Sequence, residues 1–473
     1  MGKFRAAPRA LCIVGVLVLA PCVYLRALTE ALRGARCCAW EGNASRAAML
    51  PLLRSGPNQS IPPGSALAVS APGAPDRPLA GGTGNLRASV AMLQATLTRV
   101  ADANLKANHF LFTDSTDGWT ASPRLYHYSF VADTAIAMLN YQGYFSAAQI
   151  LNIAEKFIAA RNAAGEFPIC LKKSGAAEVF YSGWDFLRHH ATGDGAFYVP
   201  QLEYLYYRKT ANSSAFAKDA AAMKAALFAI PVNGATGLVQ VVKGDEWVPW
   251  GFQDMVRKTG DDLMGSVLYY QAATDMAALY RVIGDKSGAA LFSGRAAKIR
   301  ANLQELWDPA AGMFYAATGQ NRQIDIEGSA YAVYAGAASA SQTAAISRYL
   351  VKNYRKLTMW GYMRQSPEDW EKCYFIHGPA CSYGPGQYDD GAWSVANGWI
   401  AAAIAKTSPA LALQFIAEFA NSPDPTQEYW SWSGAKAPRA GQTSNLESPT
   451  GALSYVNTYS AILHGTGANN KER

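Results

Sequence analysis

Carboxylates recur beside tryptophans in this chain, in segments that precede apolar stretches. Two such segments are Trp250-Gly-Phe-Gln-Asp254 and Glu428-Tyr-Trp-Ser-Trp432. Aromatic rings stack on the C–H faces of sugars, and carboxylates accept hydrogen bonds from sugar hydroxyls. The pattern indicates a carbohydrate site, in which two opposed carboxylates could also serve as acid and base.

Further tryptophans and carboxylates of this kind are spread over the chain. Each has an alternative interpretation as a core aromatic or as a helix cap, since a carboxylate at a helix N-terminus satisfies free N–H groups. That alternative is most pertinent for Asp194, Asp262 and Asp390. The predicted sugar contacts are Asp133, Trp184, Asp185, Trp250, Asp262, Trp360, Asp389, Asp390, Trp393, Trp399 and Trp430.

The elements that must position these residues are helices. From residue 86 onward the apolar periodicity is helical almost everywhere, and clean strand alternation is scarce. The periodicity predicts twelve helices, at 86–106, 127–141, 146–160, 195–209, 214–229, 263–283, 286–306, 327–336, 341–353, 391–405, 409–420 and 451–464.

The even-numbered helices differ from their partners in two ways. Their predicted starts lie 60 to 68 residues apart, and they are almost free of charged side chains. A helix that is apolar all round is a buried helix, whereas an amphipathic one covers it from outside. The regular spacing therefore predicts an all-α fold, an (α/α)6 toroid of six helical hairpins over 86–465.

Composition excludes several classes of function. The 473 residues are 50% hydrophobic and 16% charged, which is typical of a globular protein. The net charge is only +7, and a good part of it lies in the N-terminal tail. The chain has no basic stripe, phosphate-binding glycine loop or zinc-ligand spacing. We therefore expect no nucleic acid partner, no cofactor and no metal.

The N-terminus has the pattern of a targeting segment. Lys3, Arg5 and Arg9 precede an apolar run over 11–25, which is short for a membrane span of about 20 residues. A signal peptide and a type II signal anchor both fit. We predict a tail and anchor over 1–41, a flexible stalk over 42–85 and a disordered tail over 466–473.

Either interpretation of the N-terminus places the body of the chain in the secretory pathway, secreted or held at a membrane by the anchor. Three glycosylation sequons, at Asn43, Asn58 and Asn212, agree with a glycoprotein. Cys373 and Cys381 are near enough in sequence to close a loop by a disulfide, with free buried thiols as the alternative.

Three segments carry a resemblance to a known family. Trp250-Gly-Phe-Gln-Asp254 leads into a tyrosine-rich helix that ends at Ile283-Gly-Asp285. Gln387-Tyr-Asp-Asp-Gly-Ala-Trp393 runs into Asn397-Gly-Trp399, and Glu428-Tyr-Trp-Ser-Trp432 comes last. In this order they resemble the six-hairpin glycosidase superfamily, which includes glucoamylases, trehalases, debranching enzymes, rhamnosidases and processing glucosidases. The trehalase signatures are incomplete, so the resemblance does not carry the substrate with it.

The resemblance implies hydrolysis of an α-linked oligosaccharide or glycan with inversion at the anomeric carbon. One carboxylic acid protonates the glycosidic oxygen, and a carboxylate about 6.5–9.5 Å away activates a water on the opposite face. We predict Asp254 as the acid, because Trp250 and Phe252 could shield it from water, and Glu428 as the base. Glu327 and Glu447 are rival bases.

Other functions remain open on the same toroid. A sugar epimerase or polysaccharide lyase would use His127 with Tyr128, and His377 is a second histidine able to transfer a proton. A hydrolase could instead use an adjacent pair, Asp389-Asp390 or Asp261-Asp262, as some toroidal mannanases do. A carbohydrate-binding toroid without catalysis would keep the aromatic cleft alone.

Overall fold

The computed structural model describes residues 83–123, 126–179, 194–241, 250–253, 256–371, 390–432 and 445–464. These residues form twelve α-helices, one for each helix predicted from the sequence. The helices are α1 (Thr83–Asn108), α2 (Val131–Asn140), α3 (Ala147–Ala159), α4 (Asp194–Thr210), α5 (Ser214–Ala229), α6 (Leu263–Val282), α7 (Lys286–Asn302), α8 (Ile326–Tyr334), α9 (Ala340–Leu357), α10 (Asn397–Ile404), α11 (Pro409–Ala420) and α12 (Ser448–Leu463).

The even-numbered helices form a closed inner ring. Each packs against the next, from α2 through α4, α6, α8 and α10 to α12, and α12 returns to α2. The odd-numbered helices pack outside them, with α1 on α12, α3 on α4 and α7 on α6. The predicted toroid is thus confirmed, and the uncharged helices are the inner ones, as their composition indicates.

Small residues set the closest approach within the ring. A Cβ atom on Gly398, in the first turn of α10, would lie 2.5 Å from the carbonyl oxygen of Gly451 in the first turn of α12. No side chain fits between these two backbones. The lack of a side chain at this contact therefore lets two inner helices touch directly and brings their N-termini together.

Short strands connect the helices. Within the described residues they are β1 (His109–Leu111), β2 (Asp117–Trp119), β3 (Ser129–Phe130), β4 (Cys170–Leu171), β5 (Ala177–Val179), β6 (Gln240–Val241), β7 (Gly260–Asp261), β8 (Trp307–Asp308), β9 (Met313–Phe314), β10 (Thr358–Met359), β11 (Tyr362–Arg364), β12 (Ala392–Trp393) and β13 (Tyr429–Trp430). The largest sheet has the antiparallel order β10-β11-β12-β13, and the others are β1-β2, β3-β4-β5, β6-β7 and β8-β9.

Two predicted helix starts were wrong because strands occupy those residues. The tenth helix was expected from 391, but Ala392 and Trp393 pair with neighbouring strands, and α10 begins at Asn397. Likewise, the second helix was expected from 127, but Ser129 and Phe130 pair with β4, and α2 begins at Val131. Ladder hydrogen bonds to a partner strand, which no local pattern shows, decided both boundaries.

The N-terminal predictions fall on residues that the structure does not describe. These are the anchor over 11–25 and the stalk up to residue 82, and the same holds for Cys373 and Cys381. Of the helices that are described, none has the length and apolar character needed to cross a membrane. Asn212 is described, and it lies exposed in the turn between α4 and α5.

Two glycines with nearly the same backbone geometry allow a matched test of the packing between sheet and outer helix. Gly361, between β10 and β11, has φ +74°, and a Cβ there would lie 2.1 Å from the backbone nitrogen of Phe419. Gly336 has φ +72° with nothing within 4 Å. We expect Gly336→Ala to cost about 1–2 kcal/mol of unfolding free energy, from left-handed strain alone.

Gly361→Ala should cost about 2 kcal/mol more than that, because the backbone of α11 must also move. Denaturant unfolding of the two variants measures the difference. Equal losses would show that α11 does not press on the β10-β11 turn.

Candidate active site

The inner helices begin at the same end of the ring, and carboxylates are concentrated there. The chain returns through an outer helix after each inner one, so the inner helices run in the same direction. The positive N-terminal ends of their dipoles stabilise nearby negative charge. Asp133, Asp194 and Glu327 lie in first turns, Asp262 and Asp325 cap α6 and α8, and Glu447 immediately precedes α12.

Tyr198 marks the centre of this end of the ring. It lies on α4 and is buried, and burial raises the pKa of its hydroxyl well above the ordinary value. Tyr331, Asp194, Asp133 and Glu447 add to the rise in that pKa. These neighbours belong to α2, α4, α8 and the start of α12, so side chains from four inner helices meet around one phenol.

Glu428 and Glu447 are carried by segments that are tied together. The carbonyl oxygen of Glu428 accepts hydrogen bonds from the backbone nitrogen of Ser394 at 3.2 Å and from its hydroxyl at 2.9 Å. That hydroxyl is also hydrogen-bonded to the hydroxyl of Ser448, the residue after Glu447. The loop before β13 and the start of α12 are therefore held as one unit.

The side chain of Glu447 is in an unusual environment for a carboxyl. It is 1% exposed, and burial raises its pKa well above the ordinary value. Asp133 and Glu428, each 7% exposed, raise that pKa further through their negative charges. Because a general base must be ionised, this environment favours Glu428 over its rival Glu447 for that role.

The segment that leads to Asp254 is rigidly packed, although Asp254 itself lies outside the described residues. A Cβ on Gly265 would lie 2.5 Å from the Trp250 ring, so the indole rests directly on the α6 backbone. Gly251 and Phe252 follow with φ +76° and +65°. Gln365 then donates a hydrogen bond of 2.9 Å to the carbonyl oxygen of Phe252 and holds it in place.

A buried lysine anchors the same segment to α6. The ammonium group of Lys258, which is fully buried, lies 2.9 Å from Oδ1 of Asp262 and donates to Oε1 of Gln253 at 3.0 Å. The other oxygen of Asp262 accepts from the backbone nitrogen of Gly265 at 2.6 Å and caps the helix. Asp262, a predicted sugar contact, therefore occupies the cap position that was its alternative interpretation.

Asp325 repeats this arrangement at the next inner helix. It caps α8 through a hydrogen bond from the backbone nitrogen of Gly328 at 2.8 Å. Burial raises its pKa to about 6, and Gly328, Lys258 and Gln253 oppose that rise. One lysine thus lies close to the caps of two neighbouring inner helices.

Four of the predicted sugar-binding tryptophans pack against other aromatic rings. Trp360 is half-buried and meets Trp430 edge to face, with ring centroids 4.6 Å apart. Trp393 is buried and stacks on Tyr429 at 5.4 Å, while Trp399 contacts Tyr331 at 4.5 Å. Of the four, Trp360 is the most open to a ligand.

Asp390 is buried and binds the backbone rather than a helix end. Its Oδ1 accepts from the backbone nitrogen of Trp370 at 2.7 Å. Burial raises its pKa to about 7, and the nearby Asp369 contributes to the rise. Trp184, Asp185, Asp389 and His377 lie outside the described residues, so nothing tests their predicted roles.

The histidine of the epimerase and lyase hypothesis lies apart from this cluster. His127 is exposed just before β3, and its ring is tilted against that of Tyr128 at 5.0 Å. The hydroxyl of Tyr128 donates to Glu178 at 3.5 Å. No group of three histidine, cysteine, aspartate or glutamate residues in the described part of the chain could hold a metal ion.

Sequence reasoning missed two residues of this region. Lys258 had a detectable signal, because it lies four positions before a helix-capping aspartate, a spacing that favours ion pairing. Tyr198 had none, since it is one of several tyrosines on an apolar helix and only the closure of the ring brings it to the centre.

Comparison with known proteins finds likeness of fold. No family model matches the sequence, and no curated protein does either. Among solved structures, a rhamnosidase from Klebsiella oxytoca with rhamnose bound is 14% identical, with a TM-score of 0.56 over 76% of this chain. This chain spans 63% of the length of that rhamnosidase.

Two further structures share the fold. A GH63 mannosylglycerate hydrolase from Thermus thermophilus, in complex with Tris and D-glycerate, is 13% identical with a TM-score of 0.51, covering 77% of this chain and 99% of its own. A GH78 rhamnosidase of Bacillus sp. GL1 is 14% identical with a TM-score of 0.52, covering 77% and 34%. The predicted resemblance to six-hairpin glycosidases is confirmed at the level of fold.

Removing the buried ammonium of Lys258 should destabilise the acid-bearing end of the ring. Lys258→Met leaves the Asp262 carboxylate buried without its partner, which costs about 3–5 kcal/mol of unfolding free energy. Lys218→Met is the matched control, because Lys218 is 65% exposed and pairs with Glu155 at 2.9 Å. An exposed pair is worth at most about 1 kcal/mol.

Denaturant unfolding near neutral pH measures both losses. A loss for Lys258→Met no larger than that for the control would mean that Lys258 does not hold the segment in place.

Proposed function

We propose that this protein is an inverting glycoside hydrolase acting on an α-linked oligosaccharide or glycan. Glu428 is the general base and Asp254 the general acid. The observation that carries the proposal is the setting of Glu428, which lies with Asp133 and Glu447 where the inner helices begin. Aromatic rings on β12 and β13 lie at this same end of the ring.

The chemistry requires two proton transfers. Glu428 takes a proton from a water molecule, whose oxygen attacks the anomeric carbon. The bond from that carbon to the glycosidic oxygen breaks as Asp254 gives its proton to that oxygen. The helix N-termini supply fixed positive dipoles that favour the ionised form of a base.

The carbohydrate substrate is supported by two observations. Trp360 offers an indole that is only half-buried beside Trp430, which suits stacking on a sugar face. The structural neighbours include proteins seen with rhamnose and with glucose. Rhamnosides, glucosides and mannosides are therefore the first substrates to test.

Neutralising either carboxyl should abolish turnover. Glu428→Gln and Asp254→Asn each remove a proton-transfer group, which is worth about 10²–10⁴-fold in kcat. The measurement is release of the leaving group from a panel of aryl glycosides and disaccharides. Glu305→Gln is the control, since Glu305 is exposed on the short helix after α7 and should leave kcat unchanged.

Turnover that survives both changes would refute the assignment of the acid and base. Sugar binding without any turnover by the wild type would favour the non-catalytic toroid. Conversion of a sugar without hydrolysis, lost on His127→Ala, would favour the epimerase or lyase.

We propose a secretory location for the same protein, on the basis of the N-terminal sequence and the sequons. Asn212 is exposed, so a glycan there would meet no packed side chain. Expression in a secretory host should give a mass shift that disappears on Asn212→Gln. An unmodified Asn212 would remove that support for the location.

A further inference from the structure

Glu447 is a buried carboxyl that the proposed reaction does not use. It is 1% exposed, and neither of its oxygens makes a hydrogen bond of normal geometry to another described residue. Nor does it form an ion pair with any cation in the described part of the chain. A carboxylate in such a place would lack both water and a counter-charge.

The groups around Glu447 are acids and a phenol. Asp133 faces it from α2, Glu428 from the loop before β13, and Tyr198 from α4. Asn445, two residues earlier, is a neutral polar side chain close to it. A second or third negative charge among these groups would repel Glu428, so the low-energy arrangement has Glu447 protonated.

We propose that Glu447 is a positioning residue of the active site, a neutral carboxylic acid that keeps its proton through the reaction so that Glu428 can be the ionised partner. This inference rests on the proposed function, because it assigns the base role to Glu428. Glu447 itself gives up no proton in the cycle. Its position beside Glu428 is fixed by the Ser394–Ser448 hydrogen bond, so the two carboxyls stay together.

The arrangement separates two carboxyls by burial. Burial raises the pKa of Glu447 well above the ordinary value, and Asp133 and Glu428 reinforce this. One member of a close pair of acids then holds a proton over the working pH range while the other titrates. An ionised Glu447 would instead raise the pKa of Glu428 and shift the acid limb of the pH–rate profile upward.

Infrared spectroscopy of the full chain tests the protonation directly, without any substrate. The carbonyl band of a carboxylic acid is separate from the bands of a carboxylate. At about pH 9, roughly two units above the pKa of about 7 of Glu203, Asp275 and Asp390, those three acids are ionised. We expect an acid band at this pH in the wild type and its loss in Glu447→Gln.

Glu203→Gln is the matched control. Glu203 is also 1% exposed, and both of its oxygens lack hydrogen bonds to described residues, but its charged neighbours are Asp219, Glu155 and Lys218. This variant should lose an acid band near about pH 6, below its pKa of about 7, and keep the band at about pH 9. An unchanged spectrum of Glu447→Gln at the higher pH, or no acid band there in the wild type, would overturn the proposal.

Kinetics of the same variants test the role. Gln keeps the shape and neutrality of a protonated Glu447, so Glu447→Gln should retain kcat within about 3-fold and leave the acid limb of kcat/KM unmoved. A loss of about 100-fold, or an acid limb that falls by about a unit, would show that Glu447 is ionised and would overturn the proposal. A wild type that hydrolyses no glycoside would refute the proposed function, whereas the infrared band would still decide the state of Glu447.

Discussion

The convergence of six helix N-termini at one end of a closed ring is the constraint on which the rest of the structure depends. Parallel helix dipoles at close range repel one another unless negative charge lies at their shared positive end. The chain supplies it, because acidic residues begin or cap five of the six inner helices. The interaction that stabilises the ring thereby gathers the carboxyls that could perform chemistry.

Burial then gives these carboxyls different states. Asp262 is paired with Lys258 and capped to a helix, and Asp325 repeats the cap at the next helix with a pKa of about 6. Glu447 has neither a cation nor a well-placed hydrogen-bond donor for its oxygens among the described residues, and its pKa is raised well above the ordinary value. The same end of one ring can therefore hold structural anions, neutral acids and a titratable base.

Much of the fold followed from the sequence because it is governed by local periodicity. Twelve helices, their alternation between inner and outer layers, and the ring closure all come from charge-free helices spaced 60 to 68 residues apart. The boundaries at Val131 and Asn397 could not be predicted, because partner strands distant in sequence set them.

The site was predictable in residue type but not in arrangement. The aromatic and carboxylate segments were visible, and Glu428 does lie beside two other acids. The cap role of Asp262 was anticipated only as an alternative, and the place of Tyr198 depends on contacts from four helices. Burial decides which carboxyl is a cap, a neutral acid or a base, and it is a property of the closed ring rather than of any segment.

Inversion at the anomeric carbon is the most direct sign of a Glu428-activated water. The measurement is proton NMR of the sugar first released from an α-linked substrate, recorded before mutarotation. A β-configured product is the expected result, since the water attacks the face opposite the leaving group. An α-configured product would require a covalent intermediate on the enzyme and would contradict the assignment of Glu428 as a general base.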